Sequence, residues 1–140
     1  MTTLVSRFAT VDELLDDARS RLLRVWPLAA AALVDHGALV VDIRPAWQRA
    51  ASGEVPGSLI VERNHLEWRL HPDSAARLPQ ARRNQQWIVL CSQGYTSSLA
   101  ADALNSLGVA ATDVVGGFDA WRGAGLPTVA GATAADQLVS

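Results

Sequence analysis

The chain contains no lysine, and its 12 basic residues are all arginine. This excludes Schiff-base chemistry and the lysine that grips phosphates in a glycine-rich nucleotide loop. There is one cysteine, so no internal disulfide can form, which fits a reducing compartment. Positive charge is not in excess either. The net charge of −2 argues against a nucleic-acid partner, which would call for a basic face. No apolar run reaches the length of a membrane span, because charges or prolines interrupt each one. Met1 to Thr10 lacks the apolar core and cleavage pattern of a secretory leader, so the expected location is cytoplasmic, with no membrane partner. His36, His65 and His71 do not make a recognised metal spacing. No metal or organic cofactor is expected.

What remains suits one domain. The 140 residues are 49% hydrophobic and 19% charged, enough to bury an ordinary core. Val11 to Arg24 has helical spacing, with Leu14, Leu15, Ala18 and Leu22 on one side. Thr10 and Glu13 are placed for a capping box. Leu22 to Trp26 reads equally as a short strand. A second helix begins near Pro27, runs over Leu28 to Val34 and stops at Gly37.

Ala38 to Ile43 and Trp87 to Leu90 are short apolar runs bounded by turn signals, which predicts strands buried on both faces. Between them, Pro45 to Ala51 suits a short helix and Ser58 to Val61 a strand. Asn64 is placed to cap a helix reaching Leu70, and Pro72 to Asn84 reads as loop with a helical turn. Beyond Leu90, Ser97 to Leu107 predicts a helix, Thr112 to Val115 a strand and Phe118 to Ala124 a last helix. Ala130 to Ser140 reads as a loose tail. Trp26, Trp47, Trp87 and Trp121 are expected in packing roles. Strands alternating with helices define an α/β fold with a parallel sheet, whose active site lies beyond the carboxyl ends of the strands. Arg44 and Cys91 fall there.

The segment Cys91-Ser92-Gln93-Gly94-Tyr95-Thr96-Ser97 joins a strand to a helix. Such a loop aims several backbone N–H groups inward, and the helix N-terminus adds partial positive charge, making a cradle that favours a thiolate. Gly94 lets the loop curl close to the sulfur. The hydroxyls of Ser92, Thr96 and Ser97 are available for further hydrogen bonds. A lone cytosolic cysteine is more often an inert core residue. A core cysteine, however, needs no polar glycine-containing loop followed by a helix N-terminus.

Four segments in order then show a resemblance. Val40 to Arg44 (VVDIR) resembles the first signature strand of the rhodanese family, and Gly53 to Ser58 (GEVPGS) its "GHIPGA" turn, with Glu54 in the histidine position. Cys91 to Thr96 resembles the six-residue active loop, and Gly116 to Trp121 (GGFDAW) the closing "GGxxAW" element. The resemblance spans residues 22–128, leaving 1–21 as an N-terminal helical extension and 129–140 as a C-terminal tail. It implies a five-stranded parallel sheet with helices on both faces. It implies a sulfurtransferase in which Cys91 takes a sulfane sulfur as a persulfide, held by the loop N–H groups from Ser92 to Ser97, Gln93, Gly94, Tyr95 and Thr96 included. The donor would be a small molecule such as thiosulfate or 3-mercaptopyruvate, and the acceptor a thiol, a protein or cyanide. It further implies that Asp42 supports the loop and that Arg44 and Arg63 contact the donor. Many single-domain members have arginine at the sixth loop position. Thr96 stands there instead, as in the two-domain thiosulfate and mercaptopyruvate sulfurtransferases.

Two other readings compete. Cysteine phosphatases and arsenate reductases place an arginine where this chain has Ser97, to clamp an oxyanion. A non-catalytic interaction module of the same fold would leave Cys91 unreactive.

Overall fold

The structure is a computed structural model and describes residues 3–135. The strands β1 (Leu39–Asp42), β2 (Leu59–Ile60), β3 (Trp87–Leu90) and β4 (Ala111–Asp113) pair in the order β2-β1-β3-β4, all parallel. Around them lie α1 (Val11–Arg19), α2 (Pro27–Asp35), α3 (Ala46–Ser52), α4 (Leu66–Leu70), α5 (Thr96–Ser106) and α6 (Gly117–Gly123), with a 3-10 turn at Arg63–His65.

Among the described residues the sheet has four strands rather than the five expected. In the fifth position only Val25 bridges Val114, in parallel. The chain around Val25 has little length to offer. Arg21 and Leu22 spend their N–H groups closing the turn after α1, and Pro27, which has no N–H, already begins α2.

The central strands alternate their side chains between two buried layers. Val41, Val89 and the sulfur-bearing Cys91 join Leu22, Leu66, Leu70, Ala100 and Leu104 on the face covered by α1, α4 and α5. Val40, Ile88 and Leu90 join Ala30, Val114, Phe118 and Trp121 on the face covered by α2 and α6. Burial on both faces is why these strands read as continuous apolar runs instead of alternating ones.

Thr10 caps α1 by accepting from the Glu13 N–H at 3.1 Å, and the Glu13 carboxylate accepts from the Ala9 N–H at 2.7 Å. On the inner side of α1, Ala18 is buried, whereas Leu14 stays 39% exposed. Helix α4 starts later than the sequence suggests. Asn64 lies inside the 3-10 turn and His65 takes the N-cap position. Trp87 and Trp121 are core residues, but Trp26 and Trp47 are 68% and 71% exposed, so those two do not pack inside.

The segment read as a loose tail is anchored in its described part. Val129 forms an antiparallel bridge with Glu54, and Thr133 bonds the Glu54 carboxylate through both its N–H (3.0 Å) and its hydroxyl (2.8 Å). Residues 136–140 of that tail lie outside the described residues. Among the described residues no helix is long and apolar enough to cross a membrane.

Candidate active site

Strands β1 and β3 are in register from Leu39↔Trp87 to Asp42↔Leu90, so their carboxyl ends lie side by side. Cys91 follows β3 and its residue surface is 5% exposed. The Gly94 N–H donates to Cys91 Sγ at 3.2 Å. Gly94 has φ +84°, and a side chain there would press on the Val114 carbonyl, the Arg24 guanidinium and the Gly116 N–H. Only glycine fits that turn at no cost. Helix α5 starts two residues later with no side chain capping it, and the Ser98 N–H turns back to the Tyr95 carbonyl at 3.1 Å.

The N-terminal turn of α6 fastens the loop from the opposite side. The Phe118 N–H donates to the Cys91 carbonyl at 2.8 Å, and the Asp119 N–H to the Ser92 carbonyl at 3.0 Å. Gly117 makes this approach possible. A Cβ on it would lie 2.5 Å from the Cys91 carbonyl oxygen, 2.7 Å from Gly94 N and 2.8 Å from Gln93 N. Gly117 therefore belongs to the cysteine site, whereas a Cβ on Gly116 would meet Ala120 of α6 itself at 2.6 Å.

The hydroxyls of Ser92 and Ser97 are occupied elsewhere. Ser92 donates to Gln48 Oε1 on α3 at 2.8 Å. Ser97 and Ser98 each donate to Asp113 Oδ2 at 2.7 Å. Asp113 is wholly buried and also takes Arg24 through Nε at 2.8 Å and Nη2 at 3.2 Å, so its charge is matched. Gln93, Tyr95 and Thr96 face solvent, with Tyr95 61% exposed.

Arg44 does not face the mouth of the site. Its residue surface is 2% exposed. Its guanidinium bonds both Asp42 oxygens, with Nη2 at 2.7 Å from Oδ2, and the Gly53 carbonyl at 2.8 Å. It also stacks 4.2 Å from the centroid of the Phe118 ring. A donor contact by Arg44 gives way to a brace that ties β1 to the Gly53 turn and α6. Asp42 is the other half of that brace. Arg63 is half-buried and paired with Glu67 at 2.8 Å. With Ile43, Pro45, Glu62 and Asn64 it lines an open cleft of about 420 Å³ beyond the ends of β1 and β2. A larger cleft of about 600 Å³, lined by Glu67, Trp68, His71 and Leu107, reaches the carboxyl end of α5, the end away from Cys91.

Residues not singled out in the sequence also converge on the loop. Arg19 and Arg24 reach the Gly94 carbonyl, and Asp113, Ser98 and Gln48 anchor its neighbours. No local pattern marks them. The arginine contacts span 75 and 70 positions of sequence.

A parallel α/β sheet with a thiol in a glycine loop between a strand end and a helix start defines a rhodanese-type protein. The chain belongs to that family, since the model described as "Rhodanese-like domain" matches residues 27–124. It is similar to the thiosulfate sulfurtransferase GlpE of Pseudomonas savastanoi pv. phaseolicola, 31% identical over 100 residues, covering 71% of this chain and 86% of the relative. Among solved structures it is similar to a protein of unknown function from Rhodopseudomonas palustris, described as a possible tyrosine phosphatase. The TM-score is 0.78 and the identity 30%, over 91% of this chain and 98% of that one. A thiosulfate sulfurtransferase from Pseudomonas aeruginosa shares the fold with TM-score 0.70 at 21% identity, over 91% of this chain and 24% of that one.

Proposed function

We propose that this protein is a sulfurtransferase that carries sulfur on Cys91. The Cys91 thiolate attacks the outer sulfur of thiosulfate or the thiol sulfur of 3-mercaptopyruvate. With thiosulfate the S–S bond breaks and sulfite departs with the electron pair. With 3-mercaptopyruvate the C–S bond breaks and the pair departs on the enolate of pyruvate, which takes up a proton. Either route leaves Cys91 as a persulfide. An acceptor thiolate, or cyanide, then attacks the terminal sulfur and Cys91 leaves as a thiolate. No outside oxidant or reductant is needed. Splitting the transfer at a covalent intermediate predicts ping-pong kinetics.

The observation that carries this reading is the Gly94 N–H aimed at Cys91 Sγ, in a loop that opens directly into the N-terminus of α5. Main-chain donors in that position stabilise negative charge on sulfur before and after transfer. Gln93, Tyr95 and Thr96 present the solvent side to the donor, with Arg63 of the neighbouring cleft as a cation within the same end of the sheet.

The description of the R. palustris structure raises phosphatase chemistry. Ser97 occupies the position where such a loop carries its arginine, and its hydroxyl is committed to Asp113. The test pairs two assays. Thiocyanate should form from thiosulfate or 3-mercaptopyruvate with cyanide, giving parallel double-reciprocal lines, while p-nitrophenyl phosphate is not turned over. Phosphate release without thiocyanate would replace this reading. Neither product, with Cys91 inert to alkylation, would leave a binding module.

A further inference from the structure

The Cys91 loop is held from behind by chain that precedes the family-matched residues 27–124. Arg19, the last residue of α1, donates from Nη2 to the Gly94 carbonyl at 2.7 Å and from Nε to Ser98 Oγ at 3.1 Å. Arg24 Nη2 donates to the same carbonyl at 3.1 Å, and Ser98 Oγ approaches it at 3.3 Å. Gly94 is the residue whose own N–H meets Cys91 Sγ. Its two faces are thus divided, with the amide on the sulfur and the carbonyl on the arginines.

Two consequences follow from elementary geometry and charge. In a trans peptide the C=O and the next N–H point in opposite directions. Fixing the Gly94 carbonyl toward α1 therefore turns the Tyr95 N–H away from α1. Most of the carboxylates around the loop have an arginine partner. Asp113 is matched by Arg24, Asp42 by Arg44, Glu54 by Arg49 and Asp119 by Arg122 at 3.8 Å, while Asp17 and Asp102 share the single Arg21. Asp16 on α1 is exposed. Among the described residues Arg19 makes no ion pair, and its acceptors are neutral oxygens. Its guanidinium lies against the back of the loop, where solvent screening is reduced by its partial burial.

The geometry points to Arg19 as a positioning residue for Cys91, one that sets the orientation of the loop amides and favours the ionised sulfur, with Arg24 as a second hold on the same carbonyl. This makes the N-terminal helix part of the catalytic apparatus. The role rests on Cys91 being the nucleophile, but it is read independently of sulfur transfer.

The test follows the rate of Cys91 alkylation by iodoacetamide against pH in the full chain, comparing wild type with Arg19→Gln, Arg19→Lys and Arg21→Gln. Arg21 ties the same helix to Asp102 on α5 without touching the loop, so its loss loosens the helix but leaves Arg19 in place. Arg19→Gln should move the profile to higher pH, slowing alkylation about threefold at a fixed pH on its rising limb. Arg19→Lys should fall between it and wild type, and Arg21→Gln should follow wild type. A profile for Arg19→Gln that overlays wild type, or an equal shift in Arg21→Gln, would overturn the role. If circular dichroism shows Arg19→Gln unfolded, Arg19→Lys decides, and no shift in it overturns the role. Alkylation needs no donor, so a failure here is distinct from a failure to form persulfide.

Discussion

Strands β1 and β3 end side by side, at Asp42 and Leu90, yet the loops that follow them are built in opposite ways. After β1 the polar groups belong to side chains and are spent on one another. Asp42 holds Arg44, Arg44 also holds the Gly53 carbonyl and lies on Phe118, and the group is sealed from solvent. After β3 the groups that matter belong to the main chain. The Gly94 N–H meets Cys91 Sγ, and the side chains of Ser92, Ser97 and Ser98 bond Gln48 and Asp113 instead. A charged residue at a strand end is therefore not in itself a binding group. What distinguishes the loop after β3 is that its Gly94 N–H is directed at the cysteine sulfur.

Four substitutions separate the two regions. The largest effect on function belongs to Cys91→Ser, which should abolish sulfur uptake and thiocyanate formation. It should change stability by no more than about 1 kcal/mol, because the two side chains are nearly the same size. Asp42→Ala should do the reverse. It strands the buried Arg44 charge and should lower the unfolding free energy in urea by about 3–5 kcal/mol. Replacing both partners, Asp42→Leu with Arg44→Met, should recover much of that loss. Equal stability losses at Cys91 and Asp42 would erase the contrast between the loops.

Gly117→Ala should affect both properties. Its positive φ of 63° and the close Cys91 carbonyl predict strain of about 1–3 kcal/mol. The loop it displaces should cost thiocyanate formation about tenfold to a hundredfold, through misplacement of the sulfur. A drop in stability with activity retained would show that α6 does not position the loop.

The smallest effect lies at the turn braced by Arg44, where Glu54 pairs with Arg49 at 2.6 Å. Burial pushes the Glu54 carboxyl up, but hydrogen bonds from Arg49 and Thr133 outweigh burial and hold it below its ordinary value. A carboxyl lowered in the folded state contributes stability above the ordinary carboxylate range and loses it as pH falls through the lowered value. Melting temperature should therefore decline on acidification, and Glu54→Gln should flatten that decline. An unchanged acid slope in the variant would remove Glu54 as its source.

Much of this was legible in the chain. The runs ALVVDI and WIVL mark buried strands because both faces of a parallel sheet are covered, and Gly94 marks the loop because its backbone lies at positive φ. Helix α5 differs from its expected start by one residue. The parts that escaped depend on reach through space. Nothing near Arg19 or Arg24 announces that their side chains meet Gly94, and nothing near Thr133 announces its bonds to Glu54. Trp26 and Trp47 are large and apolar, yet both lie on helix-start segments whose outward positions face solvent. The fifth strand was lost to a single proline and a tight turn, which leave room for one bridge.

The most direct measurement is the intact mass of the protein after incubation with thiosulfate, and separately with 3-mercaptopyruvate, without reductant and beside Cys91→Ser. The account predicts a gain of one sulfur atom that is absent in the variant and is discharged by cyanide. A wild-type mass unchanged by either donor, or a gain that persists in Cys91→Ser, would contradict it.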